Sequence, residues 1–354
     1  MKKSFLFLFI MASLFFSGCT FSLSGTTTDG GIFKSYDYGE HWEQKNSAGQ
    51  NGKTKLSLDN INTKEIIFDQ QDHTLIYLSS RENGLFVSEN GGEEWRQVFN
   101  AGLVSSLALE NNSKGILYIA VANKIYKTID LGRNWRVIYL ESRIESLITQ
   151  VAVNPKNSKN VIASTSTGDI LISNDAGESW NLVANLKSNL RKILINHDNP
   201  DIIYIASLSN GIFRSADAGK TWINLKEQYE KIGSGTLTYR VLSFDPGVKD
   251  GLFLVSDFGI INSIDSGQTW QAIQLLTPPG SVQINSFAVN PKNSQHIYYA
   301  TANTFYRSFD GGKTWLNAKV PSTRMPCYLI VDNDTPNIIY MGVIKTNSKP
   351  FFFI

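Results

Sequence analysis

The sequence is poor in cysteine and histidine and has almost no excess of either charge. Two cysteines, Cys19 and Cys327, and four scattered histidines exclude a disulfide scaffold and a cysteine-based zinc site. Lys and Arg total 33 against 31 for Asp and Glu, whereas a nucleic-acid-binding protein shows a basic excess. P-loop, HExxH and serine-hydrolase motifs are also missing. We therefore expect no cofactor, no metal and no nucleic-acid partner.

Long apolar runs are missing except near the N-terminus. A basic start (Met1-Lys2-Lys3) precedes an apolar stretch from Phe5 to Phe16, which has the length of a signal peptide and is too short for a bilayer span of roughly 20 residues. The following Phe16-Ser17-Gly18-Cys19 resembles a bacterial lipobox. This resemblance implies cleavage before Cys19 and lipidation of Cys19. The alternative is an ordinary secretory signal followed by an incidental cysteine.

These features predict three segments: a lipoprotein signal peptide at residues 1–18, a short tether at residues 19–29 and a globular domain from residue 30 to residue 354. The mature protein would be extracytoplasmic and lipid-anchored to a bacterial membrane. Loss of Lys2 and Lys3 would leave it formally neutral.

One pattern, Ser/Thr-x-Asp/Asn-x-Gly-x-x-Trp, returns seven times at intervals of 40 to 53 residues, and each of the seven tryptophans closes one copy. We call each copy a box. It predicts a turn between two strands, in which glycine supplies a positive φ, the Asp or Asn accepts backbone N–H groups and the tryptophan packs on a neighbouring sheet. The predicted structural residues are Asp37, Asn90, Asp130, Asp175, Asp217, Asp265 and Asp310, with Trp42, Trp95, Trp135, Trp180, Trp222, Trp270 and Trp315.

Two further apolar strands, joined by a turn at an acidic or amide residue, precede each box from the second box onward. The first box has no such pair before it, and the last box is followed by a pair with no box after it. Because the chain ends can complete one another, we predict an all-β fold: a seven-bladed β-propeller of four-stranded antiparallel blades, closed by a composite N- and C-terminal blade. The apolar tail at residues 350–354 either adds to that blade or marks a truncated reading frame.

The boxes resemble the Asp-box (BNR) repeats of sialidases, sortilin-type receptors, xyloglucanases and photosystem II assembly factors, over roughly residues 30–345. A single lipoprotein propeller is most similar to bacterial relatives of the photosystem II stability/assembly factor. That resemblance implies a non-enzymatic, monomeric protein-binding or assembly scaffold with an envelope or membrane protein as its partner. The alternative is an extracellular glycan-binding or glycoside hydrolase module of the sialidase or xyloglucanase type.

The resemblance leaves enzymatic activity undecided and favours a non-enzymatic role. Sialidases bring an N-terminal arginine motif, whereas this chain has no arginine before Arg81. Xyloglucanases of this repeat type usually join two propellers around a substrate cleft, and this chain has one. The box aspartates recur seven times, whereas glycoside hydrolysis uses a single carboxyl pair. Asp257, a non-repeated acid in a predicted loop, is the best candidate for a catalytic acid, although no partner for it is identified.

Functional residues are expected on the face opposite the boxes. Five positions before each inner turn, at the predicted channel entrance, the chain carries Lys64, Ser105, Thr149, Arg191, Arg240, Asn285 and Cys327. Three of these are cations, and Arg143 and Arg324 are placed near the same rim. We predict Lys64, Arg191, Arg240, Arg143 and Arg324 as a ligand-binding patch for carboxylate or phosphate groups. The alternative is a set of solvated cations paired with neighbouring acids. Neither the ligand nor the membrane leaflet follows from the sequence.

Overall fold

A computed structural model describes residues 29–51 and 54–346 of the chain. The predicted signal peptide, lipidation at Cys19, nearly all of the tether and the apolar tail at residues 350–354 lie outside these residues. Within the described part, no helix is long and apolar enough to cross a membrane.

The predicted propeller is confirmed: seven four-stranded antiparallel sheets form seven blades. The second strands are the most deeply buried, as in Ile203–Ser207, where all five residues are buried. Outer strands such as Asn181–Asn185 are largely exposed. Each blade therefore presents apolar side chains to both neighbouring blades, and its outer edge meets solvent.

The strands of each blade are given from the inner to the outer one. Blade 1 comprises Thr63–Phe68, Ile76–Ser80, Leu85–Ser88 and Arg96–Phe99. Blade 2 comprises Val104–Leu109, Leu117–Val121, Lys124–Thr128 and Arg136–Leu140. Blade 3 comprises Ile148–Asn154, Asn157–Thr165, Asp169–Ser173 and Asn181–Asn185. Blade 4 comprises Leu190–Ile195, Ile203–Ser207, Ile212–Ser215 and Ile223–Asn224. Blade 5 comprises Tyr239–Phe244, Leu252–Ser256, Ile260–Ser263 and Gln271–Ala272. Blade 6 comprises Ser286–Asn290, Asn293–Ala300, Thr304–Ser308 and Leu316–Lys319. Blade 7 comprises Met325–Val331, Ile339–Ile344, Ile32–Ser35 and Glu43–Gln44.

The composite blade closes the ring. Its third strand comes from the N-terminal side and pairs antiparallel with its second strand from the C-terminal side, so that Ile32 lies opposite Gly342 and Ser35 opposite Ile339. The inner strand of each blade contacts that of the next, and the inner strand of blade 7 contacts that of blade 1. Closure places the inner edge of each blade at the channel, where it is short and protected from pairing with another chain.

Two small additions to the propeller were not predicted. A hairpin of Ser47–Asn51 and Thr54–Ser57 lies between blades 7 and 1. The α-helix Lys226–Tyr229 and the 3-10 helix Glu230–Ile232 lie between blades 4 and 5. Both interrupt connections whose lengths vary among the repeats, and short polar segments of this kind carry little periodicity.

The box turns use their carboxylates internally. In the box of blade 3, Ser173 Oγ donates to Asp175 Oδ1 and accepts the Gly177 N–H, both at 2.8 Å. Asp175 also accepts the N–H and the hydroxyl of Ser179 at 2.8 and 2.5 Å. These bonds, the Ser179 hydroxyl first, lower the pKa of Asp175 to about 2. In blade 1, Asn90 takes the acid's place and accepts from Ser88 and Glu94.

The box tryptophans fix the boundaries between blades. The indole N–H groups of Trp95, Trp135 and Trp315 donate to carbonyls of Lys45, Val98 and Gln274, within or just after the outer strand of the preceding blade. Trp95 and Trp315 retain only 2% and 9% of their exposure. In these three boxes the ring and its hydrogen bond both hold neighbouring blades together. Trp180, Trp222 and Trp270 instead donate to the glycine carbonyl of their own box.

Candidate functional site

The connections between blades and the loops between second and third strands lie together at one end of the ring, which we call the loop face. The box turns occupy the opposite end, the box face. Because adjacent strands are antiparallel, the inner strands begin on the loop face. Residues near their starts therefore surround the channel mouth.

Most of the predicted ring positions are β-bulges. In blades 1, 3, 4, 5 and 7 the pairing of the inner with the second strand skips one residue, and in blade 2 it skips Ser105. A bulge leaves its residue outside the ladder and re-aims its side chain. The skipped residues of those five blades are Lys64, Thr149, Arg191, Arg240 and Cys327.

Two of the predicted cations, Lys64 and Arg191, come together with Arg81 of the loop after the second strand of blade 1. Burial first, and then the nearby Arg81 and Arg191, lower the pKa of Lys64, which Glu65 partly offsets. Burial also lowers the pKa of Arg191. We call Lys64, Arg81 and Arg191 the cationic cluster. It draws on blades 1 and 4, which lie on opposite sides of the ring.

An ion pair crosses the channel beside this cluster. Lys192 Nζ of blade 4 lies 3.4 Å from Glu65 Oε1 of blade 1. Glu65 is buried. Burial and the Glu65 charge raise the pKa of Tyr239 and of Tyr328, so both phenols stay protonated at neutral pH. Burial raises the pKa of the neighbouring Cys327 thiol to about 12.

Arg240 pairs with the candidate acid. Its Nε–H donates to Asp257 Oδ1 at 2.6 Å, and the Asp257 side chain keeps 42% of its exposure against 15% for Arg240. This pairing is what the solvated-charge alternative predicts for Arg240. It also fixes the Asp257 carboxylate at the rim, with one side open to solvent.

Arg143 and Arg324 are each held by carboxylates elsewhere on the loop face. Arg143 donates to Glu141 at 2.9 Å and to Asp169, and Glu141, held by Arg143, has a pKa lowered to about 2. Arg324 Nε lies 4.0 Å from Asp29. The Arg143 pairs join the connection after blade 2 to Asp169 of blade 3, whereas Asp29 and Arg324 both lead into strands of blade 7.

An open apolar groove adjoins Asp257. It has a volume of about 480 Å³ and is lined by Phe258, Gly259 and Ile260 and by residues 272–279, including Leu276 and two prolines. Leu276 is 55% exposed. A neighbouring hollow of about 500 Å³ is lined by residues of the 230–238 segment. Concave apolar surfaces beside a few polar groups are typical of small-ligand sites.

Three connections build the walls of this groove. Tyr229 is buried, and its ring centroid lies 5.3 Å from that of Trp270. This contact anchors the short helix to blade 5. At Gly233 an added Cβ would lie 2.4 Å from the Phe258 ring, so only glycine permits this approach. Gly280 donates its N–H to the Phe258 carbonyl. Phe258 therefore sits at the meeting point of the three segments.

The sequence did not single out Phe258, although it stands beside Asp257 in a loop that the sequence did mark. It also did not reveal the pairing of Glu65 with Lys192 across the channel. The sequence of an inner strand does not indicate which distant strand its charged side chains contact.

One group of side chains has the spacing of metal ligands in the described residues: Asp37, Glu40 and His41 of the first box. Asp37 accepts the N–H groups of Glu40 and His41, and Glu40 pairs with Arg307. Because these oxygens already serve the turn and the contact with blade 6, the group gives no support to a metal centre.

The fold and the boxes define a BNR-type β-propeller. The chain belongs to the family described as photosynthesis system II assembly factor YCF48, whose signature matches residues 52–330. It is 23% identical to xyloglucanase Xgh74A of Acetivibrio thermocellus, over 78% of this chain and 36% of the enzyme. It is 20% identical to the oligoxyloglucan-reducing end-specific xyloglucanase of Emericella nidulans, over 74% of this chain and 38% of the enzyme. The chain thus spans little more than a third of these curated relatives.

Solved structures show the same fold. The GH74 enzyme of Niastella koreensis superposes with a TM-score of 0.65 at 15% identity, covering 84% of this chain and 52% of that one. YCF48 bound to a D1 peptide superposes with a TM-score of 0.61 at 18% identity, covering 82% and 94%.

The prediction of a non-enzymatic protein-binding or assembly scaffold is wrong as the leading interpretation. Curated relatives with significant similarity are named xyloglucanases, and GH74 enzymes are among the structural neighbours. These findings favour the alternative drawn from the sequence, a glycan-binding or glycoside hydrolase module. The reason for the error is that the repeats define the propeller, and one propeller fold hosts many activities.

Proposed function

We propose that this protein is an extracytoplasmic glycan-binding propeller of the xyloglucanase-like type, which binds its ligand on the loop face between blades 4 and 6. The observation that carries the proposal is the groove beside Asp257, where an exposed apolar surface meets an ion pair with an accessible carboxylate. The apolar faces of sugar rings pack on aromatic side chains, and their hydroxyls bond to charged groups.

Hydrolysis is the second candidate activity. It is favoured by the names of the curated relatives and by Asp257, whose side chain is 42% exposed at the edge of the groove. Hydrolysis by two carboxyl groups needs a separation of roughly 5–10 Å between them. The charged partner that the structure gives Asp257 is the cation Arg240, which favours binding over catalysis for this chain.

Affinity electrophoresis of the purified protein through gels containing soluble xyloglucan tests the binding proposal. Retardation by xyloglucan, reduced in the Phe258→Ala variant, is the expected result. Unchanged mobility in xyloglucan and in a panel of other soluble glucans would contradict it.

A reducing-sugar assay with the same polysaccharide tests hydrolysis. Release of oligosaccharides by the wild type that disappears in Asp257→Asn would show an enzyme. Binding without release would leave the protein a glycan-binding module. Thr221→Ala, an exposed change on the box face, is the matched control in both assays.

We further propose that the protein is lipid-anchored at Cys19 with its loop face toward the membrane. In support, Asp29 accepts hydrogen bonds from Ser322 and Thr323 in the connection between blades 6 and 7, on the loop face. The ten or so residues between Cys19 and this point reach at most roughly 35 Å. Release of Cys19→Ala protein from the membrane fraction is expected, and retention of that variant would contradict the anchor.

A further inference from the structure

The connection between blades 2 and 3 carries the most exposed large apolar side chain of the described residues. Ile144 keeps 88% of its exposure, and Leu140 and Leu147, which flank it in the chain, keep 58% and 36%. A single exposed apolar residue is ordinary on a protein surface, whereas several in one short segment indicate an interaction surface. Because it joins an outer strand to the next inner strand, this connection lies on the loop face.

Ile144 occupies the tip of a β-turn. Ser146 donates its N–H to the Arg143 carbonyl at 3.1 Å, which places Ile144 and Glu145 at the two central positions. We call residues 143–146 the apolar turn. The turn carries the isoleucine side chain out into solvent instead of onto either blade.

Both ends of the apolar turn are fixed to the propeller. Arg143 donates its backbone N–H and its Nε–H to Glu141 Oε1 at 3.0 and 2.9 Å, and its guanidinium also donates to Asp169 of blade 3. At the other end, the hydroxyl of the buried Ser146 lies 2.8 Å from that of Thr167. A turn held in this way presents Ile144 with little conformational entropy left to lose when it meets a partner.

The N-terminal side of the chain leads away from the same face. Ser322 and Thr323, in the loop-face connection between blades 6 and 7, donate to Asp29 at 2.7 and 2.5 Å. From Asp29 the proposed tether reaches a bilayer over at most roughly 35 Å. A tethered domain meets that bilayer at a high effective concentration, so that even a weak contact is occupied.

The charges next to Ile144 favour an apolar partner. Arg143 and Glu145 flank it with opposite signs, and Arg143 is already paired with Glu141 and Asp169. The turn therefore offers an apolar tip without a net charge that would select an acidic or a basic surface. Apolar side chains of this kind enter the boundary between lipid headgroups and acyl chains.

We propose that Ile144 inserts into the bilayer to which the protein is anchored, so that the apolar turn is a second membrane contact besides the lipid on Cys19. This inference rests on the proposed lipid anchor. In the ring, the boundary between blades 2 and 3 lies three blades from that between blades 5 and 6. Contact at the apolar turn therefore leaves the groove beside Asp257 open to its ligand.

Fluorescence quenching in vesicles tests the proposal. Protein lipidated at Cys19 is placed in phosphatidylcholine vesicles with spin-labelled acyl chains, and an environment-sensitive dye is attached at Ile144→Cys. The matched control is Ile129→Cys, at an isoleucine that is 70% exposed on the box face. Cys327 is buried, which raises its pKa to about 12, so the dye reacts with the introduced thiol.

We expect the dye at position 144 to be quenched about three-fold or more relative to the dye at position 129. Added salt should leave this difference unchanged, because the contact is apolar. To test the native side chain, the dye is moved to Ser142→Cys, an exposed position two residues earlier. Ile144→Asn should then lower the quenching without changing the melting temperature.

The outcomes separate this inference from the anchor. Equal quenching at the two positions in vesicle-bound protein would overturn the inference and leave the anchor standing. Shielding of the dye at position 144 in native envelope membranes, without quenching in protein-free vesicles, would assign the turn to a protein partner and also overturn it. Wild-type protein that carries no lipid and does not stay with the vesicles would count against both.

Discussion

Lys192 and Glu65 form a 3.4 Å ion pair that joins the inner strand of blade 4 to that of blade 1. The two strands lie on opposite sides of the ring, so the pair spans the channel itself. Glu65 is buried, and the Lys192 side chain is 26% exposed. The contact therefore ties together blades that share no strand pairing.

Glu65→Gln is expected to lower the free energy of unfolding by about 1–3 kcal/mol, because it leaves the Lys192 ammonium without its counter-charge in a partly buried site. Urea denaturation measures this change. The double variant Glu65→Gln/Lys192→Met should recover much of the loss. Additive losses in the two single variants would show that the pair does not couple the blades.

The fourth residue of the box is left-handed in every blade, including the alanines at Ala176 and Ala218, with φ of 60° at each. Gly91 and Gly311 occupy the same position in blades 1 and 6. Ala218→Gly should therefore stabilise the protein by about 0.5–1 kcal/mol, since glycine removes the strain. Ala216→Gly, two residues earlier and without a positive φ, should destabilise it by a similar amount. Equal effects of the two variants in thermal melting would contradict this account.

The two serines of the blade 3 box make different contacts and differ in burial. Ser173 is buried and accepts the Gly177 N–H, so Ser173→Ala leaves a buried donor unpaired and should cost about 1–3 kcal/mol. Ser179 is on the exposed side of the turn, and Ser179→Ala should cost less than about 1 kcal/mol. Chemical denaturation measures the free energy of unfolding of both variants. A larger loss in Ser179→Ala than in Ser173→Ala would contradict this prediction.

Hydrogen bonds hold the pKa of Asp175, Asp217 and Asp310 at about 2, below the ordinary value of 3.8. Because the folded pKa is the lower one, these carboxylates stabilise the fold fully above the ordinary value. That contribution is lost as the pH falls from about 4 to about 2. Unfolding measured across this range should show a steep loss of stability. The triple variant Asp175→Asn/Asp217→Asn/Asp310→Asn should show a shallower one, because asparagine does not titrate. If the triple variant lost stability as steeply with falling pH as the wild type, this role of the three carboxylates would be contradicted.

The fold could be predicted from the sequence because it repeats. Each box carries its own turn chemistry. The composite blade follows from the missing strand pair before the first box and the extra strand pair after Trp315. The ring positions were also predictable, since counting back from each inner turn reaches the residues that the bulges displace, such as Lys64 and Arg191.

The candidate site was only partly predictable, because its partners come from segments that do not repeat. Nothing in the sequence pairs Arg143 with Glu141 and Asp169, or Arg324 with Asp29. The Phe258 groove depends on a short helix and on close approach at Gly233. These contacts arise from tertiary packing, which local patterns do not encode.

The most direct test of the account is a calorimetric comparison of two aromatic residues on opposite faces. Phe258 lines the groove on the loop face, and Phe309 is 39% exposed in a box turn. A xyloglucan oligosaccharide is titrated into the wild type, Phe258→Ala and Phe309→Ala. Phe258→Ala is expected to lose affinity about ten-fold or more, and Phe309→Ala is expected to keep wild-type affinity. Full affinity in Phe258→Ala with loss in Phe309→Ala would place binding on the box face and contradict the account.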